Sequence, residues 1–288
     1  MYKNSKVVLF AFGTSDLKIS SERIKKQAID SKYYDEIKIL SPKDFDKKML
    51  KTINELIKNK KKRGYGYWFW KPLFLQKIID EISENDIIHY VDIGCHIQNK
   101  NNKFYEYLDF LIDQNLWILP FQYHLSNNNY PKEINFETRE EFKYTKADLF
   151  DYFNCMHDKH VTHSPQYWAG TFFLRKKEKT NFFLKDWIKV FEKRFDLVDD
   201  TTSRIKNFDG FIENRHDQSV FSLLCKKNRV NSFSAYECEW GERNNFRTWD
   251  HNWENPILAK RDLKFNIFKR FLNRQLKTIK RYKKKILK

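Results

Sequence analysis

Ile87-Ile88-His89-Tyr90-Val91-Asp92-Ile93-Gly94-Cys95-His96 is the stretch on which the fold turns. Its first five residues are mostly apolar and partly β-branched, as expected of a strand covered on both faces. Asp92 stands where that strand emerges, and Gly94 lets the backbone turn after it. In open α/β sheets, ligands gather at the carboxyl ends of strands. A carboxylate there is placed to hold a metal or to touch a ligand. Just upstream runs Arg63-Gly-Tyr-Gly-Tyr-Trp-Phe-Trp-Lys-Pro72, two glycines among large rings, flanked by Arg63 and Lys71.

Outward from this centre, Val7 to Phe12, Ile37 to Leu40, Leu116 to Phe121 and Tyr167 to Arg175 read as further strands. Helices are expected over 20–31, 45–60, 71–83, 104–113, 180–195 and 217–226. In the second of these, Leu50, Ile53, Leu56 and Ile57 fall on one face. Pro72 stands at an early helical position, where proline is tolerated. Residues 123–165 look irregular, with a helical piece near 146–154. Strands alternating with helices predict an α/β, Rossmann-type domain with a mixed, mainly parallel sheet. We expect that domain over residues 1–258, followed by a basic tail over 259–288.

Composition agrees with a packed globular chain. Of 288 residues, 17% are aromatic, while seven Gly and six Pro are too few for a loop-rich or fibrous protein. Cys95, Cys155, Cys225 and Cys238 form no C-x-x-C pair, so neither a zinc ribbon nor a redox motif is indicated. Reduced thiols of a cytoplasmic protein are the simplest expectation. The apolar run near the N-terminus is too short for a signal peptide. No window approaches the ~20 apolar residues of a membrane span.

The net charge of +17 is unevenly spread. Residues 260–288 hold thirteen Lys or Arg against one acid, Asp262, leaving five of the seventeen charges for the rest of the chain. Leu263, Phe265, Phe268, Leu272, Leu276 and Ile279 are interleaved with those cations. An amphipathic helix over 264–279 is expected, with the composition of one lying on an anionic membrane surface. Basic tails also bind nucleic acid. The near-neutral body and the lack of a nucleic-acid-binding motif favour the membrane.

Asp92 at a strand end, the later small-residue strand Trp168-Ala-Gly-Thr-Phe-Phe-Leu174 and Asp217-Gln218 opening a helix follow the order seen in GT-A-type glycosyltransferases. With the Arg63–Pro72 run and Arg215-His-Asp-Gln218, the chain over roughly residues 5–255 resembles bacterial glycosyltransferases of capsule and lipopolysaccharide biosynthesis. The resemblance implies a GT-A-like domain, a nucleotide-sugar donor and a glycan or lipid-linked acceptor. It also implies a divalent metal, Mn²⁺ or Mg²⁺, held by a strand-end Asp-x-Asp. Here Asp92-Ile-Gly-Cys-His96 lacks the second carboxylate, which leaves metal dependence open.

On this basis Phe12, Gly13, Arg63, Lys71, Asp92 and Gly94 are the candidate donor-binding residues. Arg and Lys suit phosphates, and glycine permits close backbone approach. Asp217 is the candidate catalytic carboxylate, placed to take the acceptor hydroxyl proton or to orient the acceptor. Ala169, Gly170, Thr171, His216, Gln218 and Trp249 are expected around sugar and acceptor. Asp92 and His251 are the candidate metal ligands, His251 because a C-terminal His often completes the metal site in that family; His96 is a further nitrogen. The plain alternatives are a turn-forming Asp92, a helix-capping Asp217, a surface His251 and core packing for Tyr65, Tyr67, Trp68 and Trp70. A phosphoryl-type transferase acting on glycans and a polyanion-binding protein built around the tail are the competing functions.

Overall fold

The computed structural model describes residues 1–58, 63–125 and 130–260, together with 272, 275 and 276. The helix expected over 264–279 lies outside the described residues apart from those three positions. The first half carries β1 (Val7–Phe12), α1 (Lys18–Ser31), β2 (Glu36–Leu40), α2 (Lys47–Lys58), the single turn α3 (Gly64–Tyr67), α4 (Trp70–Glu81), β3 (Ile87–Val91), β4 (His96–Ile97), α5 (Asn101–Asp113) and β5 (Ile118–Gln122). Three short helices, α6 (Glu141–Tyr144), α7 (Ala147–Tyr152) and α8 (Lys159–Thr162), fill the irregular stretch. Then come β6 (Tyr167–Arg175), α9 (Glu178–Lys193), α10 (Asp217–Lys227), β7 (Phe233–Ser234), β8 (Gly241–Arg243), β9 (Phe246–Thr248) and β10 (Ile257–Leu258).

Six strands form one mixed sheet in the order β2-β1-β3-β6-β5-β7. The pairings β2–β1, β1–β3 and β5–β7 are parallel. Strand β6 runs against both its neighbours. The reason is local: the chain leaves β5 and returns into β6 at the same end, where the Tyr123 amide donates to the Gln166 carbonyl at 3.0 Å. A return at the same end gives an antiparallel pair, whereas a crossover would give a parallel one.

Strands β1, β3 and β6 are buried along their whole length. Successive side chains point to opposite faces of a strand. Phe10, Tyr90 and Phe172 therefore join one core with Phe74, Trp187 and Phe221, from α4, α9 and α10. Leu9, Val91 and Phe173 join the other with Ile24 and Phe104, from α1 and α5. This three-layer packing brings the carboxyl ends of β1 and β3, the first half of β6 and the start of α10 to one end of the sheet.

Candidate active site

A cleft of about 510 Å³ opens at that end. Phe12, Arg63, Lys71, Asp92, Gly94, Ala169, Gly170, His216, Asp217 and Gln218 all line it. Residues up to 247 positions apart in the chain, Phe12 and Ala259, thus share one wall system. The size falls within the ~300–1,000 Å³ typical of small-molecule sites.

Asp92 is held by its backbone as much as by its position. Its amide donates to the Gly170 carbonyl at 2.8 Å, and its own carbonyl accepts from the Cys95 amide at 2.8 Å. The Arg23 guanidinium, from α1, donates to the Ile93 and Cys95 carbonyls at 2.8 and 3.0 Å and so pins the turn from beneath. The Tyr90 hydroxyl donates to Asp92 Oδ1 at 2.5 Å. The carboxylate remains 43% exposed toward solvent, unlike its neighbours on the cleft floor.

Lys71 is the centre of the floor. Its side chain is only 3% exposed. The ammonium donates to Asp217 Oδ2 at 2.5 Å and to the Ala169 carbonyl at 3.0 Å, and stands 3.9 Å from Asp92 Oδ1. It also sits 4.8 Å from the centroid of the Tyr90 ring. Asp217 opens α10 and is buried. Burial pushes its carboxyl up to about 6, against the lowering pull of Lys71 and with a raising contribution from Asp92. A carboxyl titrating near neutrality can exchange a proton with a bound hydroxyl at physiological pH.

The Arg63–Trp68 segment has a conformation that no hydrophobic pattern reveals. Gly64, Tyr65, Gly66, Tyr67 and Trp68 have φ of 55°, 56°, 87°, 54° and 64°, a complete left-handed turn. Left-handed backbone costs an L-residue roughly 1–2 kcal/mol. Glycine is required at 64, where an added Cβ would lie 2.3 Å from the Trp68 ring. The turn is tied by Asp200, which accepts from Arg63 at 3.0 Å and from the Tyr67 hydroxyl at 2.5 Å. Tyr65 and Trp68 consequently are half-buried walls of the cleft, not core rings.

His216 is also strained, with φ 56° and ψ −120° at the head of α10. Its Nδ1 donates to the Val198 carbonyl at 2.6 Å, and its ring stacks on Trp68 with centroids 5.7 Å apart. Burial holds its pKa below the ordinary histidine value. Gln218 has both amide ends engaged: the nitrogen donates to Gln166 at 2.6 Å and the oxygen accepts from the Ala169 amide at 3.4 Å. It therefore positions β6 as well as facing the cleft.

Five expected residues lie elsewhere. Gly13 is tied to the Leu40 carbonyl at 2.9 Å and does not line the cleft. Thr171 faces the other side of the sheet, donating to the Tyr90 carbonyl at 2.8 Å and meeting His89 Nε2 at 2.9 Å. Opposite β5, Phe121 pairs with Trp168 and Pro120 with Phe172, so Ala169–Thr171 form a bulge. The bulge breaks the alternation that would have put Ala169 and Thr171 on one face. Trp249 lies off the cleft. So does His251, whose Nε2 donates to the Tyr236 and Glu239 carbonyls at 3.0 and 3.1 Å. His251 borders a separate cleft with Lys100, Lys103 and Trp253. It cannot share an ion with Asp92 in this arrangement. His96 is likewise engaged elsewhere, with Nδ1 3.2 Å from the Gln27 amide.

Sequence reasoning overlooked Thr14, Leu17, Glu213 and Ala259 on the cleft wall, and Asp200, which organises the turn. Arg215, which also lines the cleft, was visible as the first residue of Arg215-His-Asp-Gln218. Its guanidinium pairs with Glu213 at 2.8 Å. Nothing in the sequence around Asp200 marks it.

Among the described residues, no three His, Cys, Asp or Glu side chains converge to hold a metal. The two carboxylates of the floor face the Lys71 ammonium. A dication entering between them would meet a buried like charge, so these residues do not fit the divalent ion that the sequence resemblance implies.

No family model matches the chain, and no curated protein matches it in sequence. Among solved structures it is similar to a glycosyltransferase involved in glycosylation of the major capsid of PBCV-1, at 7% identity and TM-score 0.42, over 92% of this chain and 98% of that one. It is similar to mouse xyloside xylosyltransferase 1 in its apo form, at 10% identity and TM-score 0.41, over 82% and 86%. It is also similar to the glycosyltransferase GlyE of Streptococcus pneumoniae TIGR4, at 12% identity and TM-score 0.35, over 81% of this chain and 46% of that one. These identities and TM-scores are too low to carry an activity over to this chain.

Proposed function

We propose that the protein is a glycosyltransferase that moves a sugar from a nucleotide-sugar donor to a glycan or lipid-linked acceptor in surface polysaccharide synthesis. The observation that carries this reading is the convergence of Asp92, Lys71 and Asp217 on the floor of one strand-end cleft walled by aromatic rings. Arg63, Lys71 and Arg215 supply positive charge for a diphosphate. Tyr65 and Trp68 offer flat apolar faces to a base or sugar ring. Ala169 and Gly170 leave space above the floor. Asp217 takes the proton of the acceptor hydroxyl as that oxygen bonds to the sugar carbon, and the leaving diphosphate departs with the electron pair of the broken bond.

The basic segment supports the lipid-linked acceptor and a peripheral location on the cytoplasmic face of a membrane. Ala259, the residue at which the proposed catalytic domain gives way to the tail, lines the cleft. Cations that follow it would hold the cleft mouth near anionic headgroups.

Titrating the full chain with nucleoside diphosphates and nucleotide sugars in a thermal-shift assay tests the reading. One nucleotide class should raise the melting temperature, since a ligand at a hundred times its Kd adds about 2.7 kcal/mol. Asp92→Ala should abolish that shift. A chain that binds no nucleotide, while binding anionic vesicles or RNA, is a polyanion-binding protein instead.

A further inference from the structure

We infer that the buried ammonium of Lys71 takes the place of the divalent metal, as a fixed internal counter-charge for the leaving diphosphate. The inference rests on the transferase reading of the same cleft. Lys71 is 2% exposed overall, yet it lines the cleft. Two of its three ammonium hydrogens go to Asp217 and the Ala169 carbonyl. Asp92, at 3.9 Å, is beyond hydrogen-bond range, so the third hydrogen is left for a ligand. The other two cations of the wall, Arg63 and Arg215, are paired as Lys71 is, with Asp200 and Glu213, but neither is buried on the floor.

Lys71 is carried on the first turn of α4, and its stem is enclosed by the packed core. It therefore cannot swing aside to admit an ion without exposing Asp217 unpaired, which is costly for a buried charge. In the transfer step the sugar–oxygen bond breaks, its electron pair stays on the diphosphate oxygen, and the third Lys71 hydrogen bonds to that oxygen. The acceptor oxygen forms the new bond and its proton passes to Asp217. No metal is needed to balance the step.

A corollary makes the inference testable without turnover. Removing the ammonium leaves Asp92 and Asp217 both within 3.9 Å of one point, the makings of a metal site. The test combines nucleoside diphosphate titration calorimetry, in EDTA and in Mn²⁺, with Mn²⁺ titration followed by electron paramagnetic resonance. Wild type should bind the diphosphate equally in EDTA and in Mn²⁺ and should order no Mn²⁺ alone. Lys71→Ala should weaken diphosphate binding in EDTA by about 10–100-fold, the loss of one hydrogen bond to a charged group. It should also bind Mn²⁺, and lose that binding when Asp92→Asn is added. Diphosphate binding by wild type that requires Mn²⁺ overturns the inference even if Lys71→Ala does not fold. So does Mn²⁺ uptake by wild type that Asp92→Asn abolishes, or a folded Lys71→Ala that takes up no Mn²⁺. If no diphosphate binds under either condition, the transferase reading is what fails, and the Mn²⁺ titrations still judge Lys71 by themselves.

Discussion

Asp217 shows how one residue's chemistry is set by its surroundings. A carboxyl at a helix start is ordinarily an unremarked acid. Here burial raises it to about 6 while Lys71 pulls the other way. The deprotonated form is the one able to accept a proton, so turnover should fall as the pH drops through about 6. Asp217→Asn should lower kcat by ~10²–10⁴-fold with a smaller change in KM, and should flatten that acid limb. A pH–rate profile of the two proteins is the check. The stability consequence has the opposite sense. The folded pKa lies above the unfolded value, so Asp217 contributes most at acid pH, and that contribution is lost as the pH rises through about 6. Gly170 is the other telling residue. A Cβ there would lie 2.3 Å from the Trp168 indole, which lines the cleft. Gly170→Ala should cost about 1–3 kcal/mol in a urea melt, because the indole must leave its rotamer.

At the scale of the element, two irregular pieces shape the cleft. The left-handed turn of α3 stores strain in Tyr65, Tyr67 and Trp68, and strained backbone persists only where the surroundings impose it. Asp200 is the visible restraint, gripping both Arg63 and Tyr67. Asp200→Ala should therefore loosen the Arg63 side of the cleft. We expect a roughly tenfold rise in the Kd for a nucleoside diphosphate, equivalent to about 1.4 kcal/mol, with far-UV circular dichroism unchanged. The bulge over Ala169–Thr171 is the second piece. It turns Ala169 and Gly170 to the cleft and Thr171 to the histidine beneath. Bulges are common beside active sites because they re-aim side chains in this way.

In the middle layer of the molecule, His89 is a group whose burial makes the fold sensitive to acid. His89, central in β3, lies between the Tyr34 hydroxyl at 2.9 Å and Thr171 Oγ1 at 2.9 Å, and is stacked on Phe173 at 4.0 Å. Burial lowers its pKa to about 3. A folded pKa below the unfolded value of ~6.5 means that the neutral ring stabilises the fold fully above that pH. The contribution is lost as the pH falls from about 6.5 toward 3, by at most ~1.4 kcal/mol per pH unit. Asp217 works the other way below about 6, so the His89 part is best read as a difference. His89→Gln should show a shallower loss of urea midpoint between neutral and acid pH than wild type. At the same scale, ending the chain at residue 259 should leave nucleotide binding intact and abolish sedimentation with anionic vesicles; retained sedimentation would place the membrane contact in the body instead.

Strand and helix positions were legible because they depend on local pattern. The apolar runs at Val7–Phe12, Ile87–Val91 and Tyr167–Arg175 are strands over those same residues, and the helix expected over 217–226 does open at Asp217. Asp92 at the mouth of a strand, Lys71 behind its aromatic run and Asp217 before its helix could be singled out by the same means, since each stands at an element's end. The rest depended on contacts between segments far apart in the chain. That Lys71 lies between Asp92 and Asp217 follows from α4, β3 and α10 meeting at one end of the sheet. That Thr171 and His251 turn away follows from a bulge and from two distant carbonyls. Periodicity records which residues seek burial, but only the packed fold determines which charges are buried together, and it is that choice which puts an ammonium beside the strand-end carboxylate to which the family resemblance assigned a metal.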